Sequence, residues 1–312
     1  MKLFFIGWQG SDLGLTDAAR NLKTHHEISY WSGDGKEFES LRAEFPGTIF
    51  HDHFDALYGI PPAGIDASAF PPPDAALLLE LLKTESIVLT MMNKRFESAL
   101  TSERKHLYYT LVRYWRGVLL KLRPDAIIFP CAPHTVYDYV IYGLAKHLGI
   151  RCIMFELTVV GARSIVMEDY EVGSATLAQR IAHAKTESRK EARDLPPDIR
   201  EYYEWQMNPE ATHTPLYMRQ QLGRYAGLKK VPIKFKSVWD TLVVHKDLRA
   251  LGKVLTHIPR RLMRNMRTEY ISLQTAPDFA QKFIYAPLSF QPERTSSPQG
   301  GVFVDQLLMI EM

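Results

Sequence analysis

Three ionisable side chains that follow apolar runs of the sequence have the types that acid–base chemistry uses. His134 and Asp138 come after the apolar run AIIF at 126–129, and Glu156 closes the next apolar run. An imidazole or a carboxylate can take a proton from a substrate hydroxyl, so these three are the catalytic candidates. Structural alternatives stay open. Asp138 lies three residues after Thr135, the spacing of a helix-capping box, and Glu156 could hydrogen-bond neighbouring loop backbone.

A second polar cluster lies near the end of the chain, in the segment QPERTSSPQGG at 291–301. A loop rich in Ser, Pro and Gly before a predicted helix exposes backbone N–H groups, which favour an anion such as a diphosphate. The segment is not a P-loop, because the pattern G-x-x-x-x-G-K-[ST] is absent. The substrate-binding candidates of this cluster are Gln291, Glu293, Arg294, Gly300 and Gly301.

The glycines of GWQGSDLG at 7–14 follow the first apolar run of the chain. Gly7 and Gly10 are further substrate-binding candidates, because glycine lets backbone N–H groups approach a ligand at a helix N-terminus. The spacing is not the G-x-G-x-x-G of dinucleotide-binding proteins, and no acidic residue clearly marks a ribose site after the second strand. A tight structural turn, or an acceptor-side loop for a different ligand, is the favoured interpretation.

Two other patterns contain residue types that bind metals. His51, Asp52 and His53 form one of them, and in an extended segment the two imidazoles would point the same way. Further ligands and a supporting motif are missing, so a polar loop at the sheet edge is preferred and no metal is expected. The cysteines Cys131 and Cys152 lie in apolar, strand-like runs and predict two buried free thiols in a reducing compartment.

Strands and helices alternate along the first half of the chain. A helix over 135–147, stopped by Gly149, joins two apolar strands, which is the pattern of a parallel βαβ unit with a right-handed crossover. The sequence therefore predicts an α/β fold, a Rossmann-like parallel sheet with helices on both faces. The predicted strands are 2–6, 28–31, 48–51, 126–129, 152–155 and 283–287. The other predicted helices are 16–23 with Thr16 as its cap, 74–96, 103–122 and 302–312.

The charge of the chain is distributed unevenly. Residues 219–267 contain thirteen Lys and Arg against two Asp, whereas the whole chain carries only +3, so the remainder is net acidic. Such a stretch indicates an anionic partner. Within it, 246–267 has the apolar spacing of a helix, interrupted at Pro259. A surface helix packed on its own domain is the default interpretation, an anionic membrane surface is the functional one, and no nucleic acid is expected.

The location of the protein is inferred from its apolar runs. The run after Met1 ends at Gly7, which is too short for a signal peptide, and no later run approaches the ~20 apolar residues of a membrane span. We therefore expect a cytoplasmic protein. If the basic segment binds lipid, the protein would lie peripherally at the inner face of the cytoplasmic membrane.

The stretches PHTVYDYVIYGLAKHLGIRCIMFE at 133–156 and FIYAPLSFQPERTSSPQGGVFVDQL at 283–307 resemble bacterial capsular polysaccharide and surface-carbohydrate biosynthesis proteins. Those proteins are similar to two-domain GT-B glycosyltransferases. In that family a run F-x-L-x-x-Q-P-E opens the C-terminal Rossmann-like domain, and the segment 285–293 resembles it through Leu288, Gln291, Pro292 and Glu293. The resemblance implies a GT-B-like N-terminal Rossmann-like domain at 1–173, a basic helical segment at 174–280, and the first strand, loop and helix of an incomplete second domain at 281–312.

The resemblance also implies a function, namely transfer of a sugar from a nucleotide-activated donor to a glycan or lipid-linked acceptor. A base among His134, Asp138 and Glu156 would deprotonate the acceptor, and the donor diphosphate would lie against 291–301. The nucleotide sugar is a substrate, and no cofactor or metal is required. Because the family continues beyond the position of Met312, a truncated chain that is inactive alone is expected. A non-hydrolysing sugar-nucleotide epimerase and a non-catalytic carbohydrate-binding or scaffold protein remain alternatives.

Overall fold

The computed structural model describes residues 1–9, 14–158, 160, 163–184, 195–210, 266–286, 288–289 and 293–311. The strands are β1 (Lys2–Phe5), β2 (Glu27–Gly33), β3 (Ile49–Asp52), β4 (Ala126–Phe129), β5 (Arg151–Leu157) and β6 (Ser164–Met167). The helices are α1 (Leu15–Lys23), α2 (Gly35–Leu41), α3 (His53–Tyr58), α4 (Ala75–Glu80), α5 (Leu82–Met91), α6 (Thr101–Leu122), α7 (Tyr137–Leu148), α8 (Ala175–Ala184), α9 (Pro197–Met207), α10 (Met266–Leu273) and α11 (Gln306–Glu311).

The six strands form one sheet in the order β3-β2-β1-β4-β5-β6. Strands β1 to β5 pair in parallel, and β6 pairs antiparallel with β5. The order reverses between β1 and β4, since β2 and β3 lie on one side of β1 and the later strands on the other. This is the topology of a Rossmann-like sheet, and the predicted fold class is confirmed.

Each face of the sheet is covered by helices, because side chains alternate in direction along a strand. In β1, Leu3 and Phe5 belong to one apolar core, together with Ala19 of α1 and Phe38 of α2. Phe4 belongs to the other core, which includes residues of α3, α5, α6 and α7. Apolar side chains that alternate across one strand therefore account for the two helical layers.

The end of β2 approaches the chain after β1 very closely. A Cβ atom at Gly33 would lie 2.5 Å from the carbonyl oxygen of Trp8, a distance that real Cβ atoms do not reach. The backbone N–H of Trp8 donates to Ser32 O at 2.8 Å. Glycine at position 33 thus lets the two strand ends meet, and this contact fixes the loop after β1.

Several predicted elements need correction. Thr16 lies within α1, whose N-cap is Gly14 with a φ of 72°, so no side chain caps this helix. The helix predicted over 74–96 is divided at Leu81 into α4 and α5. The strand predicted over 283–287 is wrong for 283–286, the part that the structure describes. Its apolar side chains are exposed, and its backbone pairs with no described strand. The helix predicted over 302–312 is a 3-10 turn at Gly301–Val304 followed by α11.

The described chain forms two compact units, Met1–Arg200 with Ala286–Met312, and Glu201–Tyr285. Most of the basic segment 246–267 lies outside the described residues, so its membrane interpretation stays a prediction. Within the described ranges, no helix has the length and apolar character needed to cross a membrane.

Candidate functional site

A cleft of about 490 Å³ opens at the carboxyl ends of β1, β4 and β5. Its walls come from the loops after β1 and β4, from the N-terminal end of α1, and from the end of β5. It therefore lies where the strand order reverses. In open α/β sheets this is the position at which ligands bind.

Hydrogen bonds hold Gly7 and Trp8, just after β1, at the cleft. Gly7 has a φ of 67°, a left-handed conformation that favours glycine. Its N–H donates to Ser32 Oγ at 2.9 Å. The indole N–H of Trp8 donates to Leu15 O at 2.9 Å, which connects the loop to α1. Gly7 thus lines the cleft as backbone, while the other candidate of this loop, Gly10, lies outside the described residues.

The loop after β4 carries His134 into the cleft. The ring Nδ1 of His134 lies 2.9 Å from Ala132 O. A carbonyl oxygen only accepts, so Nδ1 must carry the proton, and Nε2 keeps a lone pair in the neutral ring. No described residue forms a hydrogen bond with Nε2. His134 is therefore oriented by its own loop and has one nitrogen free for a ligand.

Asp138 holds this loop in place. One carboxylate oxygen accepts from the backbone N–H of Thr135 at 2.7 Å, and the other accepts from the N–H of His134 at 3.1 Å. Of the two hydrogen bonds of the predicted capping box, the one from the Thr135 N–H to the Asp138 carboxylate is thus present. The other is absent, because the buried Thr135 hydroxyl has no hydrogen-bond partner in the described part of the chain. Asp138 lines the cleft but acts as the anchor of the loop that carries His134.

The turn between His134 and α7 is strained. Val136 has φ 62° and ψ −74°, and the Tyr137 N–H donates to Thr135 O at 2.6 Å, which forms a γ-turn with a positive φ. For a β-branched residue such a conformation costs about 1–3 kcal/mol and persists only where surrounding contacts enforce it. Strain of this kind clusters at functional sites, and here it separates His134 and Thr135 from the helix.

A buried hydroxyl at the start of α7 connects this helix to the end of β2 and to the start of α3, and the sequence did not indicate it. Tyr137 Oη lies 3.2 Å from Ser32 Oγ and 3.2 Å from His53 Nδ1. Burial raises the pKa of Tyr137 above its usual range, so its hydroxyl stays protonated. Burial lowers the pKa of His53, which favours the neutral imidazole. His53 opens α3 instead of continuing β3, so its ring and the buried ring of His51 lie in different surroundings.

Cys131 is a half-buried free thiol beside His134, with Sγ 3.7 Å from Nδ1. Burial, and then the nearby Asp138 carboxylate, raise the pKa of Cys131 to about 11, although Arg294 opposes them. A thiol with this pKa stays protonated and is a weak nucleophile at neutral pH. Both cysteines are free as predicted, but only Cys152 is buried, so the predicted burial of Cys131 is wrong.

The segment that begins at Glu293 contributes to the same cleft. The Arg294 side chain lines it, and Arg294 Nη2 lies 2.8 Å from Glu156 Oε1. The other oxygen of Glu156 is buried without a hydrogen-bond partner among the described residues. Glu156 does not line the cleft itself, so it acts through Arg294. Gly300 and Gly301 form a turn outside the cleft, and Gln291 lies outside the described residues.

The described residues contain no cluster of three or more His, Cys, Asp or Glu that could hold a metal ion. Comparison with protein families gives no match, and comparison with curated proteins finds no similar sequence. The functional argument therefore depends on the geometry of the cleft.

Proposed function

We propose that the chain takes part in glycosyl transfer and binds an activated sugar in the cleft between β1 and β4. The observation that carries this proposal is the position of His134, whose imidazole lies at the switch point of the sheet with Nδ1 bound to Ala132 O. A base at such a position can take the proton of an acceptor hydroxyl. The resemblance of two stretches to surface-carbohydrate biosynthesis proteins agrees with this reaction.

The chemical step assigns one task to His134. Its Nε2 accepts the proton of the acceptor hydroxyl as the oxygen forms a bond with the anomeric carbon of the sugar. The bond between that carbon and the diphosphate oxygen breaks, and the nucleoside diphosphate leaves with the electron pair. Asp138 does not need to touch the substrate, because both of its oxygens already hold the backbone around His134.

Two features of the cleft suit an activated sugar. The N-terminal end of α1, at Gly14 and Leu15, lines one side, and a helix N-terminus favours the negative charge of a diphosphate. Trp8, Phe155 and Leu157 provide apolar walls for the C–H faces of a sugar or for a base. A volume of about 490 Å³ is within the range of small-molecule sites.

Binding is tested through Trp8, which lines the cleft. The protein is labelled with 5-fluorotryptophan and observed by fluorine NMR. The fluorine resonance of Trp8 is assigned as the one that is missing in the Trp8→Phe variant. Titration with UDP-, GDP- and dTDP-sugars should shift this resonance saturably for one nucleotide class. If none of these ligands shifts it, the proposal is wrong.

The role of His134 is tested by release of nucleoside diphosphate in the presence of glycan acceptors. His134→Gln should retain binding and reduce turnover about 10²–10⁴-fold, the usual contribution of a general base. His106→Gln changes an exposed histidine of α6 and serves as the matched control. Conversion of the nucleotide sugar into its epimer without an acceptor would instead indicate an epimerase. Binding without turnover under any condition would favour a carbohydrate-binding role.

A further inference from the structure

A second cleft, of about 340 Å³, lies next to the first and shares three residues with it. His53, His134 and Thr135 line both clefts. The imidazole of His134 is therefore accessible to ligands from two sides, whereas the hydroxyl of Thr135 is buried. A transfer reaction has two substrates, so a second cleft at the same imidazole is a place for one of them.

Two cations distinguish the second cleft from the first. Lys94 and Arg95, just after α5, line it. The Arg95 guanidinium lies over the ring of Phe54, 5.0 Å from its centroid, and forms no ion pair with any described carboxylate. A guanidinium held on an aromatic face keeps its N–H donors available, and these match the oxygens of a phosphate.

The chain itself places an anion in this cleft. Lys94 Nζ lies 3.0 Å from Glu293 Oε1, and both side chains are about half exposed. Ion pairs with this exposure contribute little stability, so a ligand with more charge can displace the carboxylate. Glu293 thus occupies the position that an external anion would take. The neighbouring residue, Arg294, lines the first cleft, so this segment lies at both.

We infer that the second cleft binds the phosphate group of a phosphorylated sugar, with Lys94 and Arg95 on the phosphate oxygens and the sugar towards His134 and Thr135. The assignment of the sugar portion rests on the proposed function, whereas the assignment of the phosphate depends on the two cations alone. Inorganic phosphate, pyrophosphate and glucose 1-phosphate are the probes, and glucose is the uncharged control. A lipid-linked sugar phosphate would present the same group.

The experiment is isothermal titration calorimetry of the full chain at constant ionic strength. Pyrophosphate should bind saturably, and Lys94→Ala and Arg95→Ala should each weaken it about tenfold, as expected for loss of a charge-assisted hydrogen bond. Glu293→Gln should strengthen binding about two- to fivefold, because it removes the competing carboxylate. Lys83→Ala is the matched control, since Lys83 forms a comparably exposed ion pair with Glu171 elsewhere. The Lys83→Ala variant should bind pyrophosphate as tightly as the unmodified protein does.

The outcomes separate this inference from the proposed function. Absence of saturable pyrophosphate binding, or equal affinity in Arg95→Ala and Lys83→Ala, would overturn the phosphate site. Glucose 1-phosphate that binds no more tightly than inorganic phosphate would overturn the sugar portion. Because the Trp8 resonance reports the first cleft, phosphate binding that depends on Arg95 supports the second site even if no nucleotide sugar binds the first.

Discussion

Arg294 and Glu156 form an ion pair between the segment near the end of the chain and the end of β5, with Arg294 Nη2 2.8 Å from Glu156 Oε1. Both side chains are mostly buried, at 31% and 21% exposure. The pair fixes the guanidinium at the first cleft. There Arg294 acts to lower the pKa of the Cys131 thiol, against the larger effect of burial. Two candidates that the sequence placed in separate clusters therefore act together.

Removal of the guanidinium should loosen the segment at 293–301. Arg294→Ala leaves Glu156 partly buried with neither oxygen paired among the described residues, so we expect a loss of about 1 kcal/mol in the free energy of unfolding. Amide hydrogen exchange, read by mass spectrometry, should become faster at 293–301. Arg151→Ala breaks an exposed pair with Glu168 and should leave that segment unchanged. Equal exchange in the two variants would show that the ion pair does not hold the segment.

Asp138→Asn tests whether the carboxylate anchors the loop after β4. An amide offers one acceptor oxygen and directs its NH₂ group at the second backbone N–H, so one hydrogen bond is lost in a buried place. We expect the free energy of unfolding to fall by about 1–3 kcal/mol, measured by urea denaturation. Asp34→Asn is the control, because Asp34 caps α2 from an exposed position and asparagine caps equally well. If Asp138→Asn proves as stable as Asp34→Asn, the carboxylate has another role.

The fold could be predicted from the sequence because its signals are local. The run at 126–129 is apolar throughout, so β4 was predicted at its observed bounds, and Gly149 follows an amphipathic helix, so the end of α7 was predicted to within one residue. Element ends set by backbone geometry were not predicted, since the N-cap of α1 is Gly14 and not Thr16. The apolar run at 283–286 has the composition of a strand but finds no partner strand in the part of the chain that the structure describes, which the sequence alone does not reveal.

Less of the site could be predicted, because it depends on contacts between distant segments. The rule that ligands bind at the carboxyl ends of parallel strands selected His134 and Asp138, and both line the cleft. Nothing in the sequence indicated that the Tyr137 hydroxyl would reach Ser32 and His53. Lys94 and Arg95 lie in an ordinary polar stretch after α5, and only the packing of Glu293 and Phe54 against them distinguishes these residues.

The buried imidazole of His51 should make the fold sensitive to acid. Its Nε2 lies 2.8 Å from Ile60 O and carries the proton, whereas Nδ1 accepts from the Tyr30 hydroxyl. Burial lowers the pKa of His51 to about 4, and the hydrogen bond to Ile60 and the nearby Asp52 oppose this only in part. In the unfolded chain its pKa would be about 6.5. Above pH 6.5 both states are neutral, and the contribution of His51 to stability is complete.

As the pH falls from about 6.5 to about 4, the unfolded chain binds a proton at His51 that the folded protein does not bind. The free energy of unfolding should therefore decrease by about 3 kcal/mol over this window, in addition to the effects of other groups. Urea denaturation of His51→Gln between pH 7.5 and 4.5 should show a smaller decrease than the unmodified protein. His106→Gln, at an exposed position, should keep the full decrease. Since burial lowers the pKa of His53 as well, its contribution is common to all three proteins and cancels in the comparison. An unchanged pH dependence in His51→Gln would mean that His51 takes up its proton in the folded protein as readily as in the unfolded chain.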